Sequence, residues 1–267
     1  ENAHEFRLTP WKNDPVTDAS GEAFYIRDEE TGRFWSPTPL PASGKTRYVS
    51  RHGFGYSVFE HLESGIFSEL TVFVSLENSI KFSILKIRNL SGRRRNLSAA
   101  AYCDLVLGTF RDKYHMHIVT EVDPKSGALL ARNPYNKEFP GRVVFLDVNE
   151  PTRFVSGDRI EFIGRNGTLE SPSAMYRDRL SGKVGAGIDP CVAAQVKFEI
   201  GEGQEKEILF TLGSGKTLDE ARELLRRFGG LDSARRELET VWEYWKRTLG
   251  VVYAETPDLS TNFLVNG

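Results

Sequence analysis

The sequence predicts a mainly β fold: a large antiparallel β-sandwich followed by C-terminal helices. Three observations predict it. Val192, Ala194, Val196, Phe198 and Ile200 alternate with Ala193, Gln195, Lys197 and Glu199, the period-two pattern of a strand with one face inward and one outward. Turn signals recur through the first four-fifths of the chain with no helical repeat between them, which favours antiparallel sheets packed face to face. From Thr217 onward the apolar period becomes helical.

In chain order, strands are expected over 22–27 and 46–51, and then over 54–62 and 66–74. Glu63-Ser64-Gly65 between the last two reads as a hairpin loop, and Ile66, Leu70, Val72, Val74 and Leu76 carry the alternation. Further strands are expected over 80–89, 95–107 and 115–122. Asp123-Pro124-Lys125-Ser126-Gly127 is a turn, with Pro fixing φ and Gly accepting a positive φ. Strands follow over 128–132, 142–148, 158–163, 192–200 and 208–212. Thr217-Leu218-Asp219-Glu220 is a capping box that opens a helix running to Phe228 and stopping at Gly229-Gly230. A second helix follows Asp232-Ser233, with Leu238, Val241, Trp242, Trp245 and Leu249 as one apolar stripe that needs a partner surface. Thr256-Pro257-Asp258 starts a third helix, with Thr as cap and Pro at the first position. The expected organisation is a sandwich domain over 1–212, linker helices over 213–255, and over 256–267 the opening of a further helical domain. The first residue is Glu1 rather than Met, so the chain reads as a piece of a longer one.

Composition narrows the function. The 267 residues are 39% hydrophobic and 27% charged, so the chain can bury a core and is not disordered as a whole. A net charge of −2 supplies no basic field for nucleic acid or an acidic membrane surface. No window approaches the ~18 consecutive apolar residues of a membrane span. Cys103 and Cys191 each sit in an apolar run, which reads as two buried thiols in a reducing compartment and not as a disulfide framework or a zinc site.

Several local patterns resolve into ordinary structure. Gly213-Ser214-Gly215-Lys216-Thr217 resembles a phosphate loop, but Phe210 stands where the first Walker glycine belongs, so Lys216-Thr217 is a turn and a cap. His115 and His117 would share one face of a strand, yet no local pattern supplies a third metal ligand, and no metal or cofactor is expected. Arg93-Arg94-Arg95 reads as a solvated turn tip. Asn89, Asn96 and Asn166 open glycosylation sequons that mean little without a secretory signal. Glu60, Glu63 and Glu69 lie on or beside strands, but nothing marks one as a raised-pKa acid. No G-x-S-x-G nucleophile elbow is present.

The aromatic-and-polar loops carry the functional signal. Residues 11–15, 34–39 and 133–136 each join an aromatic ring to Asn, Asp or Ser, a combination suited to the apolar face and hydroxyl edge of a sugar. The candidate carbohydrate contacts are Trp11, Asn13, Asp14, Trp35, Arg132, Asn133, Tyr135 and Asn136. The competing reading is that these rings pin loops onto the end of a sandwich.

Six blocks together resemble one family: LTPWKNDPVTD (8–18), GEAFYIRDEETGRFWSPTPLP (21–41), RHGFGYSVFEH (51–61), GIFSELTVFVSLE (65–77), KIRNLSGRRRNLS (86–98) and ARNPYNKEF (131–139). The chain resembles the N-terminal domain of glycoside hydrolase family 94, formerly glycosyltransferase family 36, and within it the phosphorylase-like region of cyclic β-1,2-glucan synthases. The resemblance implies a mutarotase-like supersandwich, linker helices and then an (α/α)6 barrel that holds the general acid and the phosphate site. No catalytic residue therefore transfers to a position here. In a phosphorolysis of this family, phosphate attacks the anomeric carbon with inversion while an acid protonates the leaving oxygen.

The expected function is thus that of a non-catalytic sandwich domain of a β-1,2-glucan-processing enzyme, bracing the barrel and contacting glucan. The expected partners are that barrel, a β-1,2-glucan or other oligosaccharide, and a second copy of the chain, with no nucleic acid. The resemblance implies a cytoplasmic location, as the cytoplasmic part of an inner-membrane protein. Two alternatives stand beside this reading. One is a mutarotase-like aldose epimerase, which needs an acid and a base, typically Glu and His, across one sugar. The other is an independent carbohydrate-binding module.

Overall fold

The structure, a computed structural model, describes residues 5–10, 16 and 20–266. In chain order it runs through β1 (Glu22–Asp28), β2 (Phe34–Trp35), β3 (Tyr48–Gly53), β4 (Tyr56–Glu63), β5 (Ile66–Val74), β6 (Ile80–Asn89) and β7 (Arg95–Asp104). Then come α1 (Arg111–Tyr114), β8 (Val119–Val122), β9 (Leu129–Arg132), β10 (Val143–Val148), β11 (Phe154–Asp158), α2 (Arg159–Ile163), β12 (Pro190–Ile200) and β13 (Glu205–Gly215). The chain ends in α3 (Leu218–Phe228), α4 (Leu231–Leu249) and α5 (Leu259–Asn266).

Two antiparallel sheets result. The smaller has the order β11-β12-β7-β1-β2 and the larger β3-β4-β5-β6-β13-β10-β9-β8. Alternate residues of their facing sides fill the main core: Leu97, Ala99 and Ala101 of β7 meet Leu85 and Ile87 of β6 and Ile208 and Phe210 of β13. The opposite residues of the same strands are buried as well. Leu209, Phe82 and Phe145 lie under Leu224, Leu225 and Phe228 of α3 and Leu238 and Val241 of α4. Tyr25, Tyr102 and Ala193 lie under Phe162 and Ile163 of α2 and the short turn at Ala174 and Met175. The molecule is therefore two sheets with a further cover on each outer side. This explains why β10 is buried at all six positions and why Ala193 and Gln195, expected to face outward, are buried. Cys103 faces the main core and Cys191 the outer one, so the two free thiols sit on opposite sides of the small sheet.

The hairpin between β4 and β5 has two loop residues, Ser64 at φ 54° and Gly65 at φ 77°. Positive φ at both central positions is the primed turn whose twist matches paired strands, and Glu63 belongs to the strand, opposite Ile66. The box at α3 forms in altered shape. Thr217 accepts from the Glu220 amide at 3.2 Å, while the Glu220 carboxylate reaches one residue beyond the cap, to the Lys216 amide at 2.7 Å. The apolar stripe of α4 finds its partner in the large sheet, although Trp242 remains 45% exposed against the ring of Tyr56 at 5.5 Å.

Three local expectations are corrected. Residues 115–117 are a helical turn after α1, and β8 begins only at Val119, because its partner β9 is four residues long and leaves nothing for 115–117 to pair with. Residues 159–163 are the helix α2: the Asp158 carboxylate accepts from the Ile160 amide at 3.0 Å, and the strand lies before it. A short apolar run does not distinguish strand from helix by periodicity. The cap of α5 is Asp258, which accepts from the Ser260 amide at 3.0 Å and the Thr261 hydroxyl at 2.7 Å, two residues beyond Thr256.

Candidate functional site

At one end of the large sheet β5 stops, β6 starts, β13 stops, β10 starts, β9 stops and β8 starts. Residues 5–10 and the loops 105–118 and 133–142 gather on this rim. Arg7 bridges to Gly108, and the Val106 amide donates to the Leu8 carbonyl at 3.0 Å. Arg111 fixes the first loop by reaching Asp104 at 3.0 Å and also Asp189. Burial raises the Asp104 carboxyl while the Arg111 charge beside it pulls the other way.

Two clefts open on the rim. One, of about 340 Å³, is walled by Phe6, Phe139, Ser79, Lys81, Arg142 and Ser214 among others. The other, of about 360 Å³, is lined by Val119, Arg132, Asn133, Pro134, Gly141 and Arg142. Arg142 lies between them and belongs to both.

The predicted contacts fall in three places. Trp11, Asn13 and Asp14 lie outside the described residues. Trp35 is 2% exposed inside the main core, so its ring offers no surface to a sugar. Arg132, Asn133, Tyr135 and Asn136 are on the rim, with unlike roles. The Asn133 side-chain amide donates to the Leu107 carbonyl at 2.7 Å and its carbonyl accepts from the Tyr135 amide at 3.1 Å. Asn136 reaches the same Leu107 carbonyl at 3.4 Å and accepts from the Glu138 and Phe139 amides. Both asparagines are buried and hold the loops together. Arg132 pairs with Glu121 at 2.8 Å and lines the second cleft. Tyr135 is 53% exposed and stacks on His117, centroids 4.1 Å apart at 15°.

The chemistry this offers is an exposed tyrosine ring backed by a half-buried imidazole on the same rim as the cleft that Arg132 lines, suited to the CH face of a sugar. His117, weighed in the sequence only as a metal ligand, and Phe139 and Arg142 are not among the predicted sugar contacts. His117 could have been found only by knowing that the loop after β7 folds back on 133–136. Nothing local to Arg142 marks it.

The other sequence candidates are structural. His115 Nδ1 bonds the Arg111 carbonyl at 3.1 Å. Among the described residues no group of three or more His, Cys, Asp or Glu is placed to hold a metal ion. Arg93 and Arg94 are exposed at the turn, as expected of a solvated tip, beside Glu30 at 2.6 Å and Glu199, whereas Arg95 is buried and pairs with Asp28 at 2.9 Å.

A His–Glu pair does exist. His61 Nε2 lies 3.7 Å from Glu63 Oε2, on alternate residues of β4. It is sealed: Tyr48 stacks flat on the imidazole at 3.7 Å, and a Cβ on Gly44 would stand 2.3 Å from Nε2. Glu63 is committed to the Lys45 amide at 2.7 Å and Arg33 at 3.1 Å. Burial pushes the His61 imidazole below its ordinary value, against the Arg47 carbonyl and the Glu63 charge. A substrate has no room at this pair, so it gives no support to epimerase chemistry.

The two antiparallel sheets and their outer covers define a supersandwich domain. Residues 1–230 match the family described as "Glycosyl hydrolase 94, supersandwich domain", and the chain belongs to that family. The cyclic beta-(1,2)-glucan synthase NdvB of Rhizobium meliloti (strain 1021) is 32% identical over 267 residues, 99% of this chain and 9% of that protein. The solabiose phosphorylase of Paenibacillus borealis is 27% identical over 212 residues, 76% of this chain and 27% of that protein. A bacterial glucoamylase solved with acarbose shares the fold at a TM-score of 0.58 and 8% identity, over 92% of this chain and 32% of that one. The chain thus spans about a tenth of the synthase and about a quarter of the phosphorylase. Among the described residues no helix is long and apolar enough to cross a membrane.

Proposed function

We propose that this chain is the sandwich part of a larger enzyme that transfers or phosphorolyses glucosyl units of β-1,2-glucan, and that it braces the catalytic part without itself making or breaking the glycosidic bond. The observation that carries the reading is where the exposed apolar side chains lie. Every large apolar residue from Val251 to Val265 is between 62% and 85% exposed. They directly follow α4, whose first half is seated on the large sheet. Exposed large apolar side chains in this number signal a covering partner, and in this reading the (α/α)6 barrel that the family resemblance implies is that partner. In this division residues 1–212 are the sandwich, 213–255 the linking helices and 256–267 the opening of the barrel. The glucan specificity is inferred from the synthase at 32% identity. Two buried free thiols suit a reducing, cytoplasmic setting.

Tyr135, His117 and Arg132 are the glucan contact in this reading, with Asn133 and Asn136 holding the loop in shape. Calorimetric titration of the 267-residue chain with β-1,2-gluco-oligosaccharides, with cellobiose and maltose as controls, tests it. Selective binding that Tyr135→Ala abolishes supports the contact. No binding leaves the bracing role alone, and catalysed mutarotation of glucose by the chain sinks the non-catalytic reading.

A further inference from the structure

Arg142 is the half-buried cation at the junction of both rim clefts. Its guanidinium lies over the rings of Phe6 at 5.2 Å and Phe139 at 5.4 Å and points one amino group at the Ser214 hydroxyl at 3.5 Å. Among the described residues no carboxylate lies within ion-pair distance of it, in a chain where acidic residues outnumber basic ones by 37 to 35. The other cations of the clefts are matched, Lys81 to Glu22 at 2.8 Å and Arg132 to Glu121 at 2.8 Å. Neither cleft has an acidic residue among its described lining. The arginines of the sandwich interior and its edges, such as Arg95, Arg111 and Arg153, each hold an aspartate. Arg142 has no such partner among the described residues, and it lines both clefts.

We propose that the Arg142 cleft binds a phosphoryl group, free or carried on a sugar. The rings of Phe6 and Phe139, tilted 55° to each other, pack against the guanidinium, which lines both cavities; a guanidinium held on aromatic rings is a preorganised donor fork for oxyanions. A carboxylate is satisfied by that fork alone. A tetrahedral oxyanion uses the additional donors that line the same cavity, the Ser214 and Ser79 hydroxyls, while Lys81 stays with Glu22. A cleft of about 340 Å³ with Phe6, Leu8 and Leu212 as apolar wall has space for a sugar ring beside the phosphate. The neutral glucan contact proposed at Tyr135 does not need this charge, so the two sites stand or fall separately.

The test is calorimetric titration of the 267-residue chain with inorganic phosphate, glucose 6-phosphate and glucose, repeated on Arg142→Gln, Arg142→Lys, Ser214→Ala and Tyr135→Ala. Both phosphates bind the wild type and glucose does not. Arg142→Gln weakens them about tenfold or more, and Arg142→Lys falls between, because it keeps the charge and loses the fork. Arg142 also packs on Phe6 and Phe139, so Ser214→Ala, which leaves that packing in place, is the second reporter and weakens phosphate with the thermal midpoint unchanged. Tyr135→Ala leaves phosphate binding intact. Tighter binding of glucose 6-phosphate than of phosphate assigns the apolar wall to the sugar, and equal affinity confines recognition to the phosphoryl group. A wild-type chain that binds neither phosphate overturns the proposal, and so does Arg142→Gln with unchanged affinity.

Discussion

The Asn133 side-chain amide donates to the carbonyl of Leu107 at 2.7 Å. Leu107 stands at φ 45°, and Asn136 reaches the same oxygen at 3.4 Å. One carbonyl, turned by a left-handed residue, thus receives two buried amides from a loop more than twenty residues away. This clasp holds the rim in shape and sets Tyr135 against His117.

Asn133→Ala removes the shorter arm of the clasp and leaves the Leu107 carbonyl and Tyr135 amide short of a partner. The expected cost is about 1–3 kcal/mol. Hydrogen exchange should quicken over 105–118 and 133–139 together while the sheets stay protected. Loss of protection in only one of the loops would show that they are not coupled through Leu107.

Trp35 and Tyr135 looked alike in sequence and should behave oppositely. Trp35 is 2% exposed in the main core, so Trp35→Ala is expected to cost about 3–5 kcal/mol. Tyr135→Ala gives up one exposed stacked ring and should cost about 1 kcal/mol or less. Urea denaturation of both variants decides it. Similar losses would mean that Tyr135 is also a packing residue and would weaken the case for a sugar platform.

These two rings mark what was legible. The alternation along β13 and β5 and the turn at Ser64-Gly65 are local, and the strands form where they were expected. The covers on the outer faces are not local: Gln195 is buried because Leu180 and its loop come back over the small sheet, the Leu180 amide donating to the Gln195 side-chain Oε1 at 3.1 Å. The sequence picked out the 132–136 loop, which lies on the rim, since Asn-Pro-Tyr-Asn is dense in turn and ring residues. It missed Arg142, whose meaning comes from the carboxylate that is not beside it and from Phe6, far away in the chain.

His61 gives the fold a pH response. Burial holds its imidazole below the ordinary value near 6.5, so the unfolded chain takes up the proton first. Stability is therefore complete above about pH 6.5 and falls as pH drops toward the folded-state value. The facing groups are Glu63, Tyr48 and, beyond Glu63, Arg33. Denaturant midpoints between pH 8 and pH 5 should fall in the wild type and flatten in His61→Gln. Parallel pH curves for the two proteins would assign the response elsewhere. Asp104 and Asp147, both raised by burial, act with the opposite sign, their contribution being lost as pH rises above the ordinary carboxylate range.

Asn262 and Asn266 of α5 each grip the preceding extended segment with both ends of the side-chain amide. Asn266 accepts from the Ala254 amide at 2.8 Å and donates to the Ala254 carbonyl at 2.7 Å, and Asn262 treats Thr256 in the same way at 2.8 and 3.0 Å. This grip uses one polar row of the helix and leaves Phe263 at 79% and Leu264 at 85% exposed. Phe263→Asp with Leu264→Asp should therefore leave the thermal midpoint of the 267-residue chain nearly unchanged, because no buried contact is lost. The same pair should lower the binding of an apolar fluorescent dye and reduce self-association. In the longer enzyme proposed above, the same pair should lower activity or yield of folded protein, since charge would enter the proposed interface with the barrel at a cost of several kcal/mol. A large drop in midpoint of the short chain would mean that α5 packs within this domain, and the docking face would have to lie elsewhere.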